Sequence, residues 1–223
     1  MKKLIISIIA VVIVGAVGAI AVLLNNTNDD KTTDTETASN NQSAINNGEN
    51  NMNNNKTLVV YFSRTGENYG VGEISVGNTA MMAEYIAEYT GADKFEIVPV
   101  KPYPNNYQET VDIATEERNS NARPEYQGDI DISDYDTIFL GYPIWWGDMP
   151  MIVYSFLEKH DFSDKTVIPF NTHEGSGSSG TYQKIQGILS GAEVRDGLAL
   201  TGSTARTENG KAQTLDWLRN LGF

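Results

Sequence analysis

The chain has 223 residues, 40% of them hydrophobic, enough for one substantial core or two small ones. It has no cysteine and two histidines, His160 and His173, which excludes disulfides, thiolate metal sites, thiol nucleophiles and a lipid-modified N-terminal cysteine, and speaks against a histidine-rich metal centre. A formal charge of −13 argues against nucleic acid, whose phosphates would be repelled, and suits a globular domain that must stay soluble.

The first segment, residues 1–24, places Lys2 and Lys3 before an uncharged apolar run from Leu4 to Leu24. As a helix that run would span about 31 Å, the thickness of a bilayer's hydrocarbon core. A secretory signal has a shorter apolar region and a small-x-small cleavage site after it. Here Ala19-Ile20-Ala21 lies inside the run, so an uncleaved transmembrane anchor is expected ahead of a removed signal. The lysine pair puts the N-terminus in the cytoplasm and the rest of the chain outside. Secretion after cleavage is the alternative.

Residues 25–56 follow, with 12 asparagines and only Ala38, Ala44, Ile45 and Met52 as apolar side chains. Such a stretch cannot bury enough surface to offset its chain entropy and reads as a disordered tether. As a flexible coil it would hold a domain about 30 Å from its anchor point.

Residues 57–223 read as the folded domain. Leu58–Phe62, Lys94–Val98, Thr137–Gly141, Thr166–Phe170 and Val194–Thr201 are rich in Val, Ile, Phe and Leu and are predicted strands. Met82, Tyr85, Ile86 and Tyr89 recur at helical spacing, as do Val153, Phe156 and Leu157 behind Pro150. Residues 105–120 make a weaker helical pattern, and residues 207–223 a closing one. Near-continuous apolar strands alternating with helices give an α/β class, a doubly wound five-stranded parallel sheet with helices on both faces.

Ligands of such sheets bind beyond the carboxyl ends of the strands, where the winding reverses. The loops after the first, third and fourth strands are also the least ordinary parts of the sequence. "SRTGENYGVGEISVGNT" brings the hydroxyls of Ser63, Thr65 and Thr79, with Gly66 for close backbone approach and Asn78 or Thr79 opening a helix. Unpaired N–H groups at that helix start suit a phosphate held mainly by neutral dipoles; Arg64 is the only cation, and its side chain is free to point away. Without a ligand the same residues make an N-cap and two turns. "GYPIWWGDMP" sets Tyr142, Trp145 and Trp146 at the rim of a buried strand, where large apolar rings are a liability unless a flat ligand covers them. "NTHEGSGSSGTY" has three glycines between Thr172 and Tyr182, which would let the backbone offer N–H groups to a ligand or simply form a surface turn.

Together "YFSRTGEN…GNT", "GYPIWWG" and "THEGSG" resemble the three flavin-binding loops of the flavodoxin-like family, over essentially all of residues 57–223. The resemblance implies strand order 2-1-3-4-5 and noncovalent flavin mononucleotide (FMN) at the switch point between the first and third strands. It also implies cofactor contacts from Ser63, Arg64, Thr65, Gly66, Asn78, Thr79, Pro143, Ile144, Trp145, Trp146, Gly147, Thr172, His173, Gly175, Ser176 and Gly177. Gly147 would let a peptide carbonyl turn toward the ring's N5 on reduction, as in the proteins it resembles. No catalytic residue or metal ligand is assigned.

Two departures stand out. Residues 67–77 are inserted into the phosphate turn, and are expected to loop over the ribityl chain or stand in solvent, with Tyr69 exposed by default. The third loop offers no aromatic before Tyr182, so both candidate stackers, Trp145 and Trp146, come from the second, and one ring face would stay open. His173 would either neutralise reduced flavin or hydrogen-bond its own loop. An acidic rim including Asp148 and Glu174 would lower the flavin's potential and suit a basic redox partner protein. The expected function is an FMN redox protein at the membrane surface, either an electron-transfer flavodoxin or a reductase of quinone-type small acceptors. The alternative is a flavin-free cell-surface module whose aromatic loop binds a sugar or peptide.

Overall fold

Leu58, Val59 and Val60 are all completely buried, and a strand buries consecutive residues only when both of its faces are covered. The computed structural model describes residues 56–223 and sets this strand, β1 (Thr57–Tyr61), inside a parallel sheet. The chain continues through β2 (Gly66–Asn68), β3 (Gly72–Ile74), α1 (Asn78–Thr90), β4 (Asp93–Glu96), α2 (Tyr107–Asn119), β5 (Thr137–Pro143) and α3 (Met151–Lys159). It ends with β6 (Thr166–His173), α4 (Thr181–Ile188), β7 (Glu193–Val194), β8 (Leu198–Thr201), α5 (Gly202–Ala205) and α6 (Glu208–Leu221). The main sheet runs β4-β1-β5-β6-β7, with β8 also on β6 and every pairing parallel. This is the doubly wound order expected from the sequence. The apolar run Leu4–Leu24 and the Asn-rich stretch that follows it lie outside the described residues, and the expected anchor and tether with them. Among the described residues no helix is long and apolar enough to cross a membrane.

Alternate residues of each central strand serve two separate cores. Leu58, Val60, Ile138, Leu140 and Tyr142 pack under α3 and α4, against Ile152, Phe156 and Ile185. Val59, Phe139, Ile168 and Phe170 face the other way, onto Met82 and Ile86 of α1 and Leu218 of α6. The α1 stripe is narrower than the sequence pattern suggests: Met82, Ala83, Ile86 and Ala87 are buried, while Tyr89 is exposed and Tyr85 only half-buried. Small alanines, not tyrosines, let that helix lie close to the sheet. The weak pattern at residues 105–120 does form a helix, α2, because Asn106 caps it by accepting the Glu109 N–H at 3.0 Å.

The fifth strand is broken, contrary to expectation. β7 pairs with the start of β6 and β8 with its end, leaving Arg195, Asp196 and Gly197 between them. The gap falls opposite Ile168 and Pro169, and a proline brings no N–H to the ladder. At Gly197 a Cβ would sit 2.3 Å from the Pro169 carbonyl oxygen and 2.6 Å from Cζ of Tyr182, so the strand passes there only without a side chain.

A similar close approach occurs in β5, where a Cβ on Gly141 would come within 2.2 Å of Cζ of the fully buried Phe170. Gly141→Ala is therefore expected to destabilise the domain by about 1–3 kcal/mol through forced repacking, read from the midpoint of urea unfolding.

Candidate functional site

The carboxyl ends of β1, β5 and β6 open onto one cleft of about 230 Å³. Its most unusual wall follows β5. The Trp145 N–H donates to the Asp148 carbonyl at 2.9 Å and the Asp148 N–H returns to the Trp145 carbonyl at 3.0 Å. Between them Trp146 (φ +54°) and Gly147 (φ +71°) are both left-handed, the pattern of a type I′ turn. Glycine takes such a position freely, whereas tryptophan costs roughly 1–2 kcal/mol there. The strained indole is also 53% exposed, so neither burial nor backbone comfort explains it. Trp145 behaves differently: its ring lies edge-on to Phe62 (5.4 Å) and Tyr103 (5.1 Å), half in the core while still lining the cleft. The two indoles expected to act as equals have separate jobs.

Asp148 anchors this turn and is not free rim charge. Its Oδ1 accepts the Met149 N–H at 2.8 Å and the Tyr154 hydroxyl at 2.9 Å, and Oδ2 pairs with Lys184 of α4. Burial and this carboxylate push the Tyr154 hydroxyl's pKa up, so it remains a donor. Of the expected acidic rim, only Glu174 faces the cleft.

The first loop also differs from expectation. Arg64 is buried and its guanidinium donates to four carbonyls, those of Glu67 (2.5 Å), Pro104 (2.6 Å), Asn105 (2.8 Å) and Asn106 (3.2 Å). Its charge holds the approach to α2. Burial lowers its pKa, with Glu67 and Glu73 pulling it back up. Its Nε is buried without a partner. Gly66 is close-packed as expected, but against Asn105, whose Cα and carbonyl would lie 2.9 Å from a Cβ. The inserted residues neither stand free nor form an open loop: β2 and β3 make an antiparallel hairpin. Glu67 accepts the Tyr107 N–H at 3.0 Å, tying the hairpin's base to α2, and a Cβ on Gly70 at its tip would sit 2.6 Å from Oε2 of Glu174.

At the start of α1, Gly77 occupies the N-cap without a side chain, and a Cβ there would strike Oγ of Ser63 at 2.1 Å. Ser63 Oγ instead reaches into the first turn and accepts the Ala80 N–H at 3.0 Å. Thr79 and Thr172 share a buried hydrogen bond of 2.8 Å, joining the first loop to the third. Arg206 from the end of α5 donates to the Val76 carbonyl (2.6 Å) and Asn78 Oδ1 (3.3 Å), which places a cation at this helix start that the sequence did not single out.

In the third loop Asn171, completely buried, donates to the Gly177 carbonyl at 3.1 Å and accepts the Tyr182 hydroxyl at 2.7 Å. Tyr182 is thereby committed to the loop's base and to Gly197. Glu174 accepts the Gly202 N–H at 3.1 Å. His173 Nδ1 accepts the Gly175 N–H at 2.9 Å, which fixes the proton on Nε2. Burial lowers the His173 pKa, with Glu174 opposing, and the N–H aimed at Nδ1 also resists protonation.

Of the residues singled out in sequence, Arg64, Asn78, Pro143, Ile144, Trp145, Trp146, Thr172 and His173 line the cleft. Ser63, Thr65, Gly66, Thr79, Gly147, Gly175, Ser176 and Gly177 belong to the same three loops but lie outside its lining. The cleft also has walls the three-loop scheme lacks, from the hairpin (Asn68, Tyr69), from Gly202, and from Tyr107, Thr110, Val111 and Ala114 of α2. Those α2 positions recur at helical spacing, and in sequence they read only as a helix packing on a core.

The sequence profile of the flavodoxin family matches residues 56–220. The chain belongs to the flavodoxin family. A protein of Bacteroides uniformis assigned as a flavoprotein is 30% identical, with a TM-score of 0.60 over 74% of this chain and 97% of its own. Another from Bacteroides eggerthii is 29% identical, with a TM-score of 0.58 over 75% of this chain and 98% of its own. A flavoprotein of Lactobacillus acidophilus, solved in complex with FMN, is 27% identical, with a TM-score of 0.53 over 67% and 95%. A search of the curated proteins gives no match.

The His173 geometry sets a pH dependence in this domain. With the folded pKa below the ordinary 6.5, the unfolded chain binds the proton more readily. His173's contribution is therefore complete above that ordinary value and is lost as pH falls through the lowered one. The stability gap between wild type and His173→Gln should shrink from about pH 7 to pH 5, measured by urea unfolding at each pH.

Proposed function

We propose that this flavodoxin holds FMN in the cleft and uses it to reduce a small acceptor. FMN supplies one- or two-electron chemistry when bound. The single observation that favours a reductase over a pure electron shuttle is the commitment of Tyr182. Its hydroxyl is tied to Asn171 and its ring to Gly197, so the third loop has no aromatic to close the outer face of a flavin ring.

The residues fit the cofactor. Trp146, strained and exposed, offers a flat surface for the isoalloxazine. The start of α1, where Gly77 is too confined for a side chain and only the Ala80 N–H is taken, by Ser63, leaves backbone N–H groups that suit the phosphate. Arg206 adds positive charge at Asn78. His173, neutral and with its proton on Nε2, can donate toward the ring without adding charge in the resting state.

We further assign the domain to the outer face of a membrane, tethered through Leu4–Leu24 and the Asn-rich linker. Lys2-Lys3 is not a twin-arginine pair; on this reading the chain would be exported unfolded and FMN acquired outside. Protease treatment of intact cells should then remove the domain, and full protection would reverse the orientation.

Purified protein incubated with FMN should turn yellow and quench its tryptophan emission; a colourless product would return the flavin-free alternative. Trp146→Ala is expected to weaken FMN about ten-fold with little change in stability, whereas Trp145→Ala should cost stability as well, since its ring packs on Phe62 and Tyr103. Arg206→Ala should weaken FMN several-fold and leave riboflavin, which lacks the phosphate, within about two-fold in the same titration.

A further inference from the structure

Three aromatic side chains that a soluble domain would ordinarily bury surround the same cleft: Tyr69 is 65% exposed, Trp146 53% and Tyr107 37%. Trp146 is accounted for by a flavin ring. The two tyrosines are not, because they come from the hairpin inserted into the first loop and from α2, outside the motif residues that carry the flavodoxin resemblance. Their rings pair with centroids 5.9 Å apart and planes inclined at 33°.

The pair is also fixed in place. Glu67 at the base of the hairpin accepts the Tyr107 backbone N–H, so the two tyrosines hang from elements bonded to each other. On the other side of Tyr69, Gly70 lies against Glu174. Below Tyr107, Val111 and Ala114 follow one and two turns along α2 and continue an apolar wall into the cleft. Thr110 breaks that wall least, since its hydroxyl proton is spent on the Pro104 and Asn106 carbonyls. Ordering two exposed rings on a braced hairpin costs entropy, and the fold gains little burial in return.

Charge narrows what this wall can take. The one cation lining the cleft, Arg64, has its guanidinium engaged by four carbonyls, while Glu174 contributes a carboxylate and the whole chain carries −13. Away from the start of α1, where Arg206 lies on Asn78, a second anionic ligand along the hairpin and α2 would meet repulsion with no free cation in the cleft lining.

We infer that Tyr69, Tyr107, Val111 and Ala114 form a second subsite, beside the flavin, for a flat, uncharged aromatic molecule. It rests on the proposed reductase reading and supplies the place where the acceptor of that reaction lies, against the ring face that Tyr182 leaves open. Stacking on the tyrosines orients the acceptor, and the α2 wall excludes water from its edge.

The test is calorimetric titration of the full-length, FMN-loaded, oxidised protein with menadione, a neutral naphthoquinone, and with an anionic naphthoquinone sulfonate. Menadione is expected to bind, and the sulfonate at least about ten-fold more weakly. Tyr69→Ala and Tyr107→Ala should each weaken menadione about five-fold, and Val111→Lys should abolish its binding, each by more than the same change weakens FMN. Menadione affinity unchanged in the Tyr69→Ala, Tyr107→Ala double variant would overturn the subsite, as would equal affinity for the sulfonate. Failure of the flavin reading is a separate event, visible as wild-type protein that takes up no FMN before any quinone is added. The same titration on flavin-free protein still reads whether menadione depends on the two tyrosines.

Discussion

A tryptophan in the left-handed region stays there only because the residues on either side of it are tied down. At the end of β5 this is achieved by Asp148, which closes the turn through its backbone and secures it through its carboxylate to Met149, Tyr154 and Lys184. Three elements are thereby joined: the turn itself, the first turns of α3, and α4. The position of the exposed indole, and so the geometry of any ring laid against it, follows from that one carboxylate. Its charge is neutralised by Lys184, so the acidity of the chain as a whole does not translate into negative charge at this wall.

The remaining walls of the cleft are set by polar groups used structurally. Arg64 spends its guanidinium on the carbonyls leading into α2, Glu67 caps the same helix, and Glu174 meets both the hairpin tip and the Gly202 N–H. A loop insertion expected to arch over the ribityl chain or stand in solvent is instead a braced hairpin, with ends fixed through Arg206 at Val76 and through Glu67 at Tyr107. Buried and half-buried donors satisfied in this way stiffen the rim, and a stiff rim binds a ligand with less ordering cost. What is left for an anion is mainly dipolar: the backbone N–H groups at the start of α1 and the hydroxyls beside it.

Some of this was legible in the chain and some was not. Val-, Ile- and Phe-rich runs placed the central strands, and the pairing of Trp145-Trp146 with the His-Glu-Gly-Ser-Gly loop pointed to the right end of the sheet. The broken fifth strand was hidden because its cause lies in Pro169 and Tyr182, on neighbouring elements. The role of Arg64 was hidden for a similar reason, since its acceptors lie about forty residues away in sequence. The α2 wall was missed because a helical stripe facing a cleft has the same periodicity as one facing a core.

By itself, then, the sequence determined the fold class, which depends on local periodicity and on the burial that two-sided strands require, while the winding order and the gathering of three loops at one edge came through the motifs' resemblance to the flavodoxin-like family. Tertiary structure alone decided which of two adjacent tryptophans is exposed, whether the arginine in the first loop faces inward, and that a hairpin and α2 complete the cleft. Each of those outcomes turns on partners distant in the chain, and side-chain direction is fixed only when those partners are in place.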